Sequence, residues 1–165
     1  MRQSIPLVGE PKQGKNMNIE AMTTTINELL DKDVGMGASV SVILEVERVL
    51  GVQFPKDYEA YLRTYGWARL INDELYGLGD SVPAHLNLVT NTLRERRDFR
   101  PYLPKHLVPV MPDGAGNHYC IDLSIASSGK CPVVFWDHEE GEQQIPRNIG
   151  PSFSDWIVEH VREQA

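Results

Sequence analysis

The chain has 165 residues, 41% of them hydrophobic, and a net charge of −7, which suits one domain burying roughly two-thirds of its unfolded surface. Arg2, Lys12 and Lys15 against Glu10 give residues 1–16 a charge of +2, which leaves −9 for the remainder. Such an acidic body argues against a general nucleic-acid binder and suits a protein that stays in solution or meets a basic partner.

Two cysteines, Cys120 and Cys131, are too few for a disulfide framework and are expected as buried, reduced thiols. The first residues lack the apolar run of about seven that a secretory signal needs, and nowhere is there a run of about 18 for a membrane span. A cytoplasmic protein without membrane attachment is the expectation.

Residues 1–16, with Pro6, Gly9, Pro11 and Gly14 and no period, predict a flexible leader, and residues 17–165 a single domain. Met22, Ile26, Leu29 and Leu30 predict a helix from about Asn18 to Asp33. A second, from Ala38 to Leu50, carries Val42, Val46, Val49 and Leu50 on one face, with Gly51 as its stop. Pro55 opens a third whose inner face is Tyr58, Tyr61, Leu62 and Tyr65.

From Trp67 the pattern predicts a β-hairpin turning at Asn72 and Asp73 and ended by Gly77 and Gly79. His85 to Asp98 returns to helical spacing with Leu86, Val89 and Leu93, and its basic end matches the helix dipole. Pro101 and Pro104 stop it, and LVPVM begins a second group of strands. In Asn117 to Leu123, residues Tyr119, Ile121 and Leu123 alternate with His118, Cys120 and Asp122, as in a strand with one face buried. Pro132 to Trp136 is apolar on both faces and predicts a central strand, with Ser124 to Lys130 as the connecting loop. Glu142 to Arg147 predicts a short edge strand, and Ser152 caps a last helix with Phe153, Trp156, Ile157 and Val161 inward. The element order predicts an α+β fold: a mainly antiparallel sheet with N-terminal helices, one inserted helix and a C-terminal helix.

The stretch from Met111 to Glu140 holds most of the reactive side chains. PDGAGNHY lacks the lysine and hydroxyl of a phosphate loop and precedes a strand, so it predicts a turn with Gly114 or Gly116 at positive φ. His118, Cys120, Cys131 and His138 lack the paired local spacings of a zinc site, so no metal and no cofactor is expected. A Cys120/His138 nucleophile pair has no helix N-terminus to lower the thiol pKa, and Asp137 with Glu139 reads as solvated rather than as a glycosidase pair. Asp137, His138, Glu139, Glu140 and Glu142 form an acidic rim after the central strand, a solvated edge or a docking patch for a basic protein. The arginines from Arg94 to Arg100 are expected at the opposite pole.

Five blocks in order, LGVQFPKDYEAYLRTYG, ELYGLG, PDGAGNHYCIDLS, CPVVFWDHEE and SFSDWIVEHV, together resemble the SUKH superfamily of fungal cell-wall-assembly regulators and bacterial immunity proteins of polymorphic toxin systems. The resemblance covers about residues 39–163. It implies a non-enzymatic α+β domain in which Tyr76, Gly116, Asn117, Asp122 and Trp136 belong to the fold signature. It further implies that the partner is a cognate toxin domain, often a nuclease, whose basic surface suits an acidic inhibitor. The alternative it carries is a regulatory scaffold that binds a signalling or synthase protein.

Overall fold

A computed structural model describes residues 14–165, with side chains from Asn18 onward. The first helix, α1 (Gly14–Glu28), begins before the expected start at Asn18, and the expected leader up to residue 13 lies outside the described residues. Met22 and Ile26 are fully buried, but the helix stops at Glu28 and leaves Leu30 exposed. The residues beyond it form β1 (Lys32–Val34), whose Lys32 and Asp33 the sequence pattern assigned to the end of the helix. Pairing with a distant strand overrides the local period here: Lys32, Asp33 and Val34 lie antiparallel to Leu70, Arg69 and Ala68.

Ser39 caps α2 (Val40–Leu50) by accepting the Val42 N–H at 3.2 Å, and Gly51 closes it in the left-handed conformation. The buried face is Ile43, Val46 and Leu50, rotated from the expected one, with Val42 and Val49 partly exposed. The apolar stripe of this helix is wide, from Val49 and Val42 round to Leu50 and Ile43, and contact with its neighbours selects which edge of it is buried. Pro55 is the cap of α3 (Lys56–Thr64), whose Tyr58, Tyr61 and Leu62 are fully buried as expected, followed by Tyr65.

The hairpin is β2 (Ala68–Leu70) and β3 (Asp73–Leu75), which with β1 makes a three-stranded antiparallel sheet in the order β1-β2-β3. Gly77 follows it because a Cβ there would lie 1.9 Å from the Gly66 carbonyl oxygen. The expected helix from His85 is split into a 3-10 turn, Ala84–Leu86, and α4 (Leu88–Arg97). Asn87 causes the break, since its side chain accepts the Thr90 N–H at 3.0 Å and starts a new helix. The inner residues are consequently Leu86, Leu88, Asn91 and Thr92, while Val89 and Leu93 are half-buried.

Four strands form the second antiparallel sheet in the order β4-β5-β6-β7: β4 (Leu107–Pro112), β5 (His118–Asp122), β6 (Val133–Trp136) and β7 (Arg147–Gly150). As predicted, β6 is interior. The edge strand lies after Pro146 rather than before it; proline has no N–H to give a ladder, so pairing to β6 starts at Arg147. The Tyr76 N–H donates to the Val110 carbonyl at 2.9 Å and ties the first sheet to β4.

The last helix, α5 (Phe153–Gln164), is capped by Ser152, which accepts the Asp155 N–H at 3.2 Å. Asp57 at the start of α3 accepts the Ser154 N–H at 2.8 Å and locks the two helix starts together. Phe153 then meets Tyr58 and Tyr61 with ring centroids 4.9 and 5.2 Å apart, and Trp156 stacks on Tyr119 of β5 at 5.4 Å. These aromatic contacts centre the main core, which also takes Ile121 and Val133.

The other face of β6 is buried as expected, but that of β5 departs from expectation. His118 and Asp122, on the side of β5 expected to stay open, are buried, and between them Cys120 is a buried free thiol as expected. The chain between α4 and β4 folds over them, and Leu103 and Leu107 join Cys120, Val134 and Trp136 in a second, small cluster. Polar and apolar residues alternate along β5, but nothing local announces that a distant segment covers the polar side.

Candidate functional site

The acidic rim is the loop between β6 and β7. Gln144 staples it from inside: its Nε2 donates to the carbonyls of Asp137 (2.6 Å) and Gly141 (2.9 Å), and its Oε1 accepts the Asp137 N–H (3.1 Å). The Asp137 carboxylate accepts the Glu139 N–H at 2.9 Å, so this residue shapes the loop. Glu139 and Glu140 are left exposed with His138 beside them.

A second support comes from the glycine-rich turn. Asp113 Oδ1 accepts the N–H groups of Ala115 (2.8 Å) and Asn117 (3.0 Å), and its Oδ2 accepts from the Asn117 side chain (2.8 Å). Burial is the largest single influence on Asp113 and raises its pKa, but the three hydrogen bonds together outweigh it and hold the carboxyl below its usual range. Asn117 Oδ1 in turn accepts the His138 N–H (3.0 Å) and lies 2.7 Å from its Nδ1. Gly114 and Gly116 both have positive φ, as predicted, and a Cβ on Gly116 would lie 3.1 Å from His138 Nδ1. Gly116 and Asn117 thus act as the resemblance implied, as framework, yet the framework is what sets the position of His138.

Glu142 accepts the Tyr102 N–H at 3.2 Å, which brings the end of α4 and the following segment against the acidic loop. This corrects the expectation that Arg94 to Arg100 form an opposite pole: the basic segment is adjacent. Its charges are engaged locally. Arg94 donates to Asn91 Oδ1 at 2.6 Å and lies 5.6 Å from the Phe99 ring centre, Arg100 lies 4.8 Å from that of Tyr102, and Arg96 donates to the carbonyls of Leu50 and Lys105 at 2.8 Å.

Between the two segments opens a cleft of about 280 Å³ lined by Glu95, Phe99, Arg100, Pro101, Gly116, His118, Trp136 and His138. His118 is 5% exposed; its Nε2 lies 3.1 Å from the Tyr76 hydroxyl and its Nδ1 has no hydrogen-bond partner. Burial, with a smaller push from Arg94, lowers its pKa to about 4 against the opposing pull of Asp113, so the ring is neutral at ordinary pH. Glu95 is half-buried; burial raises its carboxyl pKa, Arg94 and His138 draw it partly back, and no hydrogen bond contributes.

The other chemistry-bearing residues are not brought together. Cys120 belongs to the small cluster and Cys131 to the main core, so the two free thiols lie on different faces of the sheet. Burial pushes both thiols up, with nearby carboxylates adding to it, which is the wrong direction for a nucleophile. Among the described residues no three His, Cys, Asp or Glu side chains converge as a metal would require. No helix among them is long and apolar enough to cross a membrane. The residues that sequence reasoning missed are Glu95, Phe99 and Pro101. Glu95 is an acid inside RERRDFR, a visible irregularity whose partner across the cleft is set only by the fold.

Three comparisons place this architecture. A chain described as "Crystal structure of protein from Pseudomonas syringae pv. tomato" is similar in fold, with a TM-score of 0.56 and 17% identity over 86% of this chain and 93% of that one. In sequence the chain is similar to the SPbeta prophage-derived uncharacterized protein YokK of Bacillus subtilis (strain 168), 26% identical over 65% of this chain and 67% of that protein. The family profile described as SMI1-KNR4 cell-wall matches residues 21–162, nearly the whole described fold. The chain therefore belongs to the SUKH_5 family of SMI1-KNR4 cell-wall proteins.

Proposed function

We propose that residues 17–165 form a non-enzymatic protein-binding domain, an immunity protein that binds and neutralises a basic toxin domain in the cytoplasm. The observation that carries this reading is the acidic loop: Gln144 and Asp137 fix its backbone so that Glu139 and Glu140 face outward on an already acidic body. Charges presented this way raise the rate of encounter with a cationic surface and reject like-charged competitors. Nucleases fit such a partner, because holding phosphates requires positive charge. Family membership supports a protein-binding role, and a similar protein that is prophage-derived supports a role in conflict between genetic elements. The family's description favours one second reading, a regulatory scaffold for a cell-wall synthase or signalling protein.

Co-expression with a toxin domain encoded beside this chain tests the proposal. The expected outcome is a stable complex and rescue of growth; neither complex nor rescue overturns it, and capture of a cell-wall enzyme instead supports the scaffold. Reversal of Glu139 and Glu140 to lysine leaves the loop's hydrogen bonds intact and is expected to slow association by about tenfold at low salt. Association that is equally fast in the reversed protein excludes this loop.

A further inference from the structure

The cleft beside the acidic loop contains two polar groups that the fold leaves unanswered. His118 is buried to all but 5% and its Nδ1 has no partner. Glu95 is a half-buried carboxylate to which no hydrogen bond contributes, although arginines surround it in sequence. An unpaired buried acceptor costs on the order of 1–3 kcal/mol, so leaving His118 Nδ1 in that state beside a half-buried carboxylate without a hydrogen bond calls for an explanation. The neighbouring cations give neither group a hydrogen bond: Arg94 acts on Glu95 only through space and is held by Asn91 and Phe99, and Arg100, which also lines the cleft, lies over Tyr102.

We propose that this cleft receives one arginine side chain of the protein partner. The inference rests on the reading of a basic protein partner and names where a single anchor enters. Three features select a guanidinium. Its several N–H donors allow one group to meet both a carboxylate and an imidazole nitrogen, where the ammonium of lysine is a more compact point charge. Phe99, Pro101 and Trp136 give the cleft apolar walls, which the weakly hydrated guanidinium and its methylene stem tolerate. The neutral His118 ring accepts at Nδ1 when Nε2–H donates to the Tyr76 hydroxyl, a tautomer that an incoming cation stabilises. Glu139 and Glu140 then attract the arginine and Glu95 retains it. Arginine is, with tryptophan and tyrosine, among the residues enriched at interface hot spots, which sit in desolvated pockets.

The test needs no toxin. N-acetyl-L-arginine N-methylamide is titrated into the full chain, with the citrulline and lysine analogues at matched ionic strength, while the Trp136 indole and Gly116 amide resonances are followed by NMR. Saturable shifts are expected from the arginine analogue within about 50 mM, since a single side chain binds in the millimolar range. Citrulline, of the same shape without the charge, is expected to leave them in place. The isosteric Glu95→Gln variant is expected to bind about tenfold more weakly. No saturable shift, an equal response to citrulline, or undiminished affinity in Glu95→Gln overturns the proposal; a lysine analogue that binds as tightly overturns the choice of guanidinium. A silent titration leaves the acidic loop able to act alone, and a failed growth rescue leaves the titration readable, so the two readings fail separately.

Discussion

The two faces of the four-stranded sheet are built differently. Ile121 and Val133, paired across β5 and β6, face a continuous core in which Phe153, Tyr58, Tyr61 and Trp156 interlock. Cys120 and Val134, the next pair in the same ladder, face a small cluster that gives way to a polar cleft. The first face is sealed by α5 with α1 and α3 packed behind it; the second is covered more thinly, by Glu95 at the end of α4 and the segment Phe99 to His106. A thin cover excludes water from β5 while leaving an opening at its edge, and that opening is where Glu95, His118 and His138 meet. Stability and recognition are therefore divided between opposite sides of one sheet.

The comparison breaks first at the main core. Phe153→Ala removes a fully buried ring that touches two tyrosines and a tryptophan, and a loss of about 4 kcal/mol is expected in urea denaturation. A loss no greater than that of a second-face residue would refute the division.

The next effect belongs to the second face and depends on pH. His118 is lowered from its ordinary 6.5 to about 4, so below 6.5 the unfolded chain takes up a proton that the folded chain refuses. Its contribution is complete above 6.5, is lost as pH falls through that window, and levels off below about 4, a span of about 3 kcal/mol. His118→Asn is expected to flatten that part of the stability profile between about pH 7 and 4.5. Parallel profiles for the two proteins would show that the imidazole is not held neutral.

Val134→Ala, opposite Cys120, is expected to cost about 2 kcal/mol, less than the aromatic truncation because its cluster is small and partly able to collapse. Smallest is Gly116→Ala, at about 1 kcal/mol, from positive φ and the approach to His138. Its more telling readout is the His138 ring, whose NMR signals are expected to shift while the main core's do not.

Legibility differed between these regions for a physical reason. Tyr58, Tyr61, Phe153 and Trp156 were readable because each repeats at helical spacing within its own segment, between a cap and a stop. The exact face of α2 was not, since Val42, Ile43, Val46, Val49 and Leu50 make a wide apolar stripe and leave the choice of its buried edge to the neighbours. Nor was β1, whose three residues exist as a strand only because β2 lies beside them.

The acidic loop shows the same boundary. Its charges, its place after the central strand and the turn at Gly116 follow from the sequence alone, because charge, apolar runs and glycine conformation are local properties. The apposition of Glu95 to His118 and His138, the arginine segment lying beside the loop instead of at the far pole, and the covering of β5's polar face all join residues more than ten apart in the chain. Only the tertiary structure decides those, since a β-strand's two faces are equivalent until something distant packs on one of them.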